Sequence, residues 1–182
     1  MLEPWVMEFF CYHRDRPGSM PLRHELLEAH WSYMDQFAEG MIARGPTLDG
    51  DTATGSVHIV DLPDPVAART FAFEEPNYQA GAYRDVLLRR WQNMLGRKMW
   101  DFTGSDEGNR YLVMGLGAEK TPPPPTQYEL IAYGPLLSDD GSTNVGTAVL
   151  LQAPEADKAR AVLPSDDYAV IEVHDWEFGG RR

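Results

Sequence analysis

A histidine on the apolar stripe of a helix asks for a chemical reason. His30 stands in line with Leu26 and Met34, four residues before and after it, and so turns toward whatever the helix packs on. Arg23 lies seven residues earlier, nearly two turns and about 10 Å away along a helix axis, on the same face. An imidazole and a guanidinium facing one space suit acid–base chemistry on an anion. The imidazole exchanges a proton near neutral pH, and the guanidinium holds a carboxylate, phenolate or enolate and the charge developed after proton loss. Such a set serves elimination, dehydration or isomerisation without a cofactor.

Other residues are candidates for the same space. Glu8 interrupts an apolar strand and reads either as a second pocket carboxylate or as a solvent-facing charge. His13 and His24 flank a turn and a helix start, where exposure is the ordinary state. His58 lies among Val57, Ile59 and Val60, so alternation leaves its face open. Tyr12, Trp31, Tyr33 and Phe37 offer an aromatic lining for a planar ring, or ordinary core. Cys11 on the same strand reads as packing rather than as a nucleophile. No His-x-x-x-His or Glu-x-x-His pair supports a metal site, and the glycines at 115, 117, 179 and 180 lack the spacing of a phosphate loop, so no metal and no cofactor are expected.

The elements that position these residues follow from periodicity. Val6 to Tyr12 is rich in β-formers, Asp15 to Gly18 is a turn, and Pro21 to Gly40 carries Leu26, His30, Tyr33, Met34 and Phe37 at helical spacing. Met41 to Leu48 and Ser56 to Asp61 read as strands, Pro63 opens a helix to about Glu74, and Tyr83 to Arg90 reads as a closing strand. The order β-α-β-β-α-β is ferredoxin-like.

The pattern then returns. Ala43-Arg44-Gly45-Pro46-Thr47-Leu48 recurs as Ala132-Tyr133-Gly134-Pro135-Leu136-Leu137, and Gly55-Ser56-Val57 as Gly146-Thr147-Ala148. Pro63, Ala68 and Arg69 match Pro154, Ala159 and Arg160, while Tyr83 and Trp91 match Tyr168 and Trp176. The reading is a diverged tandem duplication: a complete domain over 1–91, a linker over 92–109 and a degenerate copy over 110–182. Strands are expected at Arg110 to Leu116, Glu129 to Leu137, Val145 to Gln152 and Tyr168 to Phe178, with a helix from Glu155. The first helix of this copy is missing, because Pro122 to Pro125 stands in its place and successive prolines cannot make a helix's amide bonds.

Charge narrows the partners. The chain has 182 residues with a formal net charge of −12, from 16 Lys and Arg against 28 Asp and Glu, divided equally between its halves. No basic patch offsets this field, which repels phosphate backbones and anionic headgroups, so a small molecule is expected rather than nucleic acid or membrane. One cysteine, an N-terminus without a cationic region and no long apolar run predict a soluble cytoplasmic protein.

Asp15, Arg23, His30, Gly45-Pro46 and the Pro76-x-x-x-x-Gly81 stretch together resemble the YCII-related (YciI-like) domain family across about 85 residues. The resemblance implies two ferredoxin-like domains joined into a dimeric α+β barrel, here an internal pseudo-dimer of two fused βαββαβ domains, open to further homodimerisation. It also implies a site on Asp15 and His30. An acid at a strand end facing a histidine holds it in one tautomer and raises its pKa. The second copy has no equivalent of Asp15, Arg23 or His30, so one site per chain is expected. One branch of the family is a cofactor-independent dehydrochlorinase, which supports a lyase or isomerase acting on a small anionic, cyclic or aromatic metabolite. The assignment is His30 and Asp15 as the catalytic pair, with Arg23, Glu8, Tyr12, Tyr33 and His58 binding substrate. Three alternatives stay open: a core histidine satisfied by Asp15 with Arg23 in a structural ion pair, a non-catalytic binding or accessory protein, and a cofactor-free oxygenase.

Overall fold

The structure is a computed structural model and describes residues 7–181. Among the described residues it is an α+β protein of eight strands and five short α-helices, divided into two compact units. Of the described residues, the first comprises 7–88 with 178–181, and the second 89–177.

In the first unit the element order is β1 (Met7–Asp15), α1 (Met20–Glu25), α2 (Leu27–Asp35), β2 (Met41–Asp49), β3 (Thr52–Leu62), α3 (Pro65–Phe73), α4 (Pro76–Gln79) and β4 (Tyr83–Trp91). The strands lie side by side as β4-β1-β3-β2, with β3 antiparallel to both β1 and β2. A two-residue connection joins β2 to β3, and its first residue, Gly50, has φ 59°, as the type II′ hairpin turn requires. Phe9, Phe10, Val57, Ile59 and Phe71 are buried, each worth about 1.5–3 kcal/mol of transfer free energy. Val6, the expected start of β1, lies outside the described residues.

The expected single helix from Pro21 to Gly40 is two helices. Leu26 leaves helical geometry at φ −95°, ψ 7°, with α1 anchored through Arg23 and α2 through His30 to different partners. Arg23 and His30 therefore do not share one continuous helix face.

The second unit contains β5 (Asn109–Leu116), β6 (Glu129–Leu137), β7 (Asn144–Ala153), α5 (Ala156–Arg160) and β8 (Val170–Trp176), with strand order β8-β5-β7-β6. The end of β4, residues 89–91, belongs to this second unit, where Arg90 and Trp91 pair with Leu137 and Leu136. No helix intervenes between β5 and β6. Instead Tyr133 Oη donates to the Pro122 carbonyl (2.9 Å), and the Thr121 and Thr147 hydroxyls bond at 2.8 Å. The stretch 92–109, expected as a linker, is woven into this unit: the Met94 amide donates to Tyr133 O, Ser105 N to Glu129, and Met99 is buried. Val113, Leu130, Tyr133, Val149, Leu151, Val162 and Leu163 belong to one apolar core. Among the described residues no helix is long and apolar enough to cross a membrane.

The β6 backbone passes so close to the preceding chain that a Cβ on Gly134 would land on the Gln92 carbonyl oxygen and the Trp91 ring. Gly134→Ala should therefore lower the stability of the protein by about 1–3 kcal/mol, read as a reduced denaturant midpoint at unchanged slope. Wild-type stability in this variant would contradict that close approach.

Candidate active site

Strand alternation sorts the candidate residues. In the β1–β3–β2 register Cys11 and Arg44 stand opposite His58, and His13 and Pro46 stand opposite Ser56. Paired residues share a face, so Cys11, His13, Asp15, Arg44, Ser56 and His58 project to one side. That side is covered by helices: His13 Nε2 bonds the Ala72 carbonyl of α3 at 2.7 Å, and Phe71 meets His58 edge-on at 5.7 Å.

A cavity of about 230 Å³ lies on this face. The helices supply Arg23, Leu27, His30, Trp31 and Met34, and the strands supply Arg44, Pro46, Ser56 and His58. Phe178, Gly179, Gly180 and Arg181 complete the wall. This C-terminal stretch is tied down by Arg44, whose Nε donates to the Gly179 carbonyl (3.2 Å), and by Arg181, which pairs with Glu28 (2.8 Å) and Asp35 (2.7 Å) on α2.

The partner of His30 is Glu75. His30 Nδ1 lies 2.7 Å from Glu75 Oε1, and the Tyr78 amide donates to Oε2 at 3.0 Å. Glu75 has no exposed surface. Burial alone would raise its pKa, but the hydrogen bond from His30, helped by the Asn77 backbone, outweighs burial and holds the carboxyl below its ordinary value. Asp15, expected on His30, is engaged elsewhere: Arg23 Nη1 reaches its two oxygens at 2.9 and 2.8 Å, and Arg23 Nη2 donates to Ser56 Oγ at 2.6 Å. The correction has a simple cause. Asp15 ends β1 next to the start of the helical segment, where Arg23 of α1 reaches it, whereas His30 sits further on in α2, beside the loop that carries Glu75.

His58 is 3% exposed, and its ring centre lies 5.6 Å from that of His30. Burial, reinforced by His30, His13, Arg44 and Arg23, pushes its pKa well below the usual histidine value. Burial also lowers that of His13, whose Nδ1 faces Cys11 Sγ and whose ring stacks on Tyr83 at 4.5 Å. Burial pushes the Cys11 thiol far up, which removes the thiolate that a nucleophile needs.

Three expected binding residues stand outside the cavity wall. Tyr12 and Glu8 are out of phase with Asp15 on β1 and project to the opposite face, where Tyr12 Oη bonds Thr47 Oγ1 at 3.0 Å. Tyr33 turns to α3 instead, its hydroxyl donating to the Thr70 and Phe71 carbonyls, and burial lifts its pKa to about 12. Conversely, Glu75, Ser56 and Arg44 were not singled out from sequence. Glu75 had a signal: it precedes Pro76 and caps α4, a position where a carboxylate meets backbone N–H groups. Among the described residues no group of three or more His, Cys, Asp or Glu is placed to hold a metal ion.

Comparison with known proteins bears on the first unit most directly. No curated protein matches the chain. Among solved structures, the 5-chloro-2-hydroxyhydroquinone dehydrochlorinase of Burkholderia phenoliruptrix AC1100, in complex with 2,5-dihydroxybenzoquinone, is 28% identical, with 50% of this chain and 100% of that chain covered at a TM-score of 0.47. A protein provisionally assigned as a monooxygenase from Fusobacterium nucleatum is 7% identical, with 98% and 94% covered at a TM-score of 0.50, a likeness of fold alone. The cavity residues, apart from Phe178 to Arg181, fall within residues 7–92, and that stretch matches the YCII-related domain.

Proposed function

We propose that the first unit carries a cofactor-independent acid–base site, a lyase or isomerase acting on a small anionic, cyclic or aromatic molecule. The observation that carries this reading is the contact of His30, a residue of the cavity wall, with the buried carboxylate of Glu75. A carboxylate accepts only, so Nδ1 of His30 bears the hydrogen and Nε2 keeps the lone pair that takes a proton. In an elimination Nε2 removes a proton, the C–H electron pair forms the double bond, and the leaving group departs with its own pair. In an isomerisation the imidazolium returns the proton to another atom. Glu75 steadies the imidazolium. Asp15 positions Arg23, whose remaining donors meet negative charge on the substrate.

The two units are proposed to be copies of one ancestral domain in a pseudo-dimer. Supporting this, Ala43↔Ile59, Gly45↔Val57 and Pro46↔Ser56 in the first unit recur as Ala132↔Leu150, Gly134↔Ala148 and Pro135↔Thr147 in the second. The register shifts at Met41/Ala43 and Thr47/Leu48 recur at Leu130/Ala132 and Leu136/Leu137. Bulges are specific local devices, so two at matching places are a strong sign of common descent.

Turnover tests the acid–base reading. On a panel of halogenated and hydroxylated phenolates, followed by halide release and by solvent deuterium incorporation, His30→Gln should lose about 10²–10⁴-fold in kcat. Glu75→Gln should lower kcat with little change in KM, and Glu75→Asp should recover part of the loss. A compound that is bound and released unchanged, with the same affinity in His30→Gln, would overturn the assignment.

Stability should also respond to pH. The lowered pKa of His58 means that the unfolded chain binds a proton below the ordinary value of 6.5 while the folded chain does not, so stability rises with pH across that window and is lost as pH falls. His13 acts in the same direction, and the lowered Glu75 extends the loss below its ordinary 4.5. The urea midpoint should be level above about pH 7 and fall between pH 6.5 and 5, with a shallower fall in His58→Val. An unchanged slope in that variant would remove His58 from the account.

A further inference from the structure

We propose that His58 is a second catalytic residue of the cavity: a neutral imidazole whose Nε2–H donates to the carbonyl oxygen of an enolisable substrate while His30 removes the α-proton. This rests on the acid–base reading above and deepens it by naming the substrate class, a carbonyl compound with an acidic neighbouring C–H.

Three observations converge on His58. Its Nδ1 is sealed from solvent with no hydrogen-bond partner, while the residue itself lines the cavity. A buried polar atom left alone is costly, so its presence calls for a reason beyond packing. With the Phe71 ring beside it and no acceptor in reach of Nδ1, the hydrogen belongs on Nε2, the nitrogen left to face the cavity. Second, the imidazole stays uncharged: it is enclosed, and the cationic Arg44 and Arg23 and the imidazoles of His30 and His13 all act against a proton on it. A neutral donor stabilises an oxyanion without becoming an acid that quenches it.

The second unit supplies the third observation. His58 pairs with Cys11 and Arg44, and the equivalent position in β7 is Val149, which pairs with Val113 and Tyr133. Val149 is 1% exposed in an apolar core. The fold accepts valine at this register position, so the imidazole answers to something other than packing. The proposed step is balanced within the cavity. The α C–H bond breaks, its pair becomes the C=C bond, the carbonyl π pair moves to oxygen, and the proton rests on His30 Nε2.

The test uses 4-nitrocatechol as an aromatic enolate analogue whose visible spectrum reports its ionisation. Wild-type protein should bind the ionised form. His58→Val should fold with an undiminished Tm, bind about 10–100-fold more weakly and shift the bound spectrum toward the un-ionised form. His58→Gln, whose amide N–H reaches a similar point, should recover most of the affinity. Undiminished binding by His58→Val overturns the role of His58 alone, and so does failure of that variant to fold. Absence of binding by the wild-type protein overturns the acid–base reading of the cavity and His58 with it.

Discussion

A carboxylate with no exposed surface sets the terms for the first unit. Taking Glu75 out of water costs several kcal/mol unless its oxygens are met by donors. The donors come from two places, the Tyr78 amide at the start of α4 and the imidazole of α2. Meeting that demand draws together segments 45 residues apart in sequence and fixes the ring of His30 in the cavity wall. Arg23 of α1 and Asp15 of β1 repeat the principle as a second, partly buried pair completed by Ser56. The break at Leu26 lets each helix satisfy its own anchor.

Much of this was legible before the structure. The order of strands, the absent helix at the prolines and the recurrence of Gly-Pro all follow from local chemistry: proline lacks an amide donor, and strands repeat every second residue. The choice of partner for His30 was not legible. Asp15 was the nearer acid in sequence, and spacing across a turn carries no information on distance. The face of β1 misled in a similar way, since Tyr12 is adjacent to His13 in sequence yet projects to the other side of the sheet. A one-residue offset is the largest change in environment that a strand can make.

The two units also act as a controlled comparison. Ser56 of the cavity wall and its partner Tyr83 stand in register with Thr147 and Tyr168, whose hydroxyls bond at 2.7 Å. Around that shared contact the surroundings differ. In the second unit Thr121 reaches Thr147, where Arg23 reaches Ser56 in the first. Gly115 stands in register where His13 stands, and a Cβ there would meet the Tyr168 ring at 2.5 Å. Both arrangements satisfy the same sheet register, one with charge and imidazoles and the other with apolar core. The polar face is therefore not a demand of the topology.

The stretch Phe178 to Arg181 adds a consequence for modularity. It belongs to the first unit although the whole second unit precedes it in the chain, and it forms one wall of the cavity. The first unit is consequently discontinuous. No single cut in the chain separates a complete cavity from the other half, so the site cannot be transplanted as one contiguous cassette. The second unit is the length of chain through which that wall is delivered.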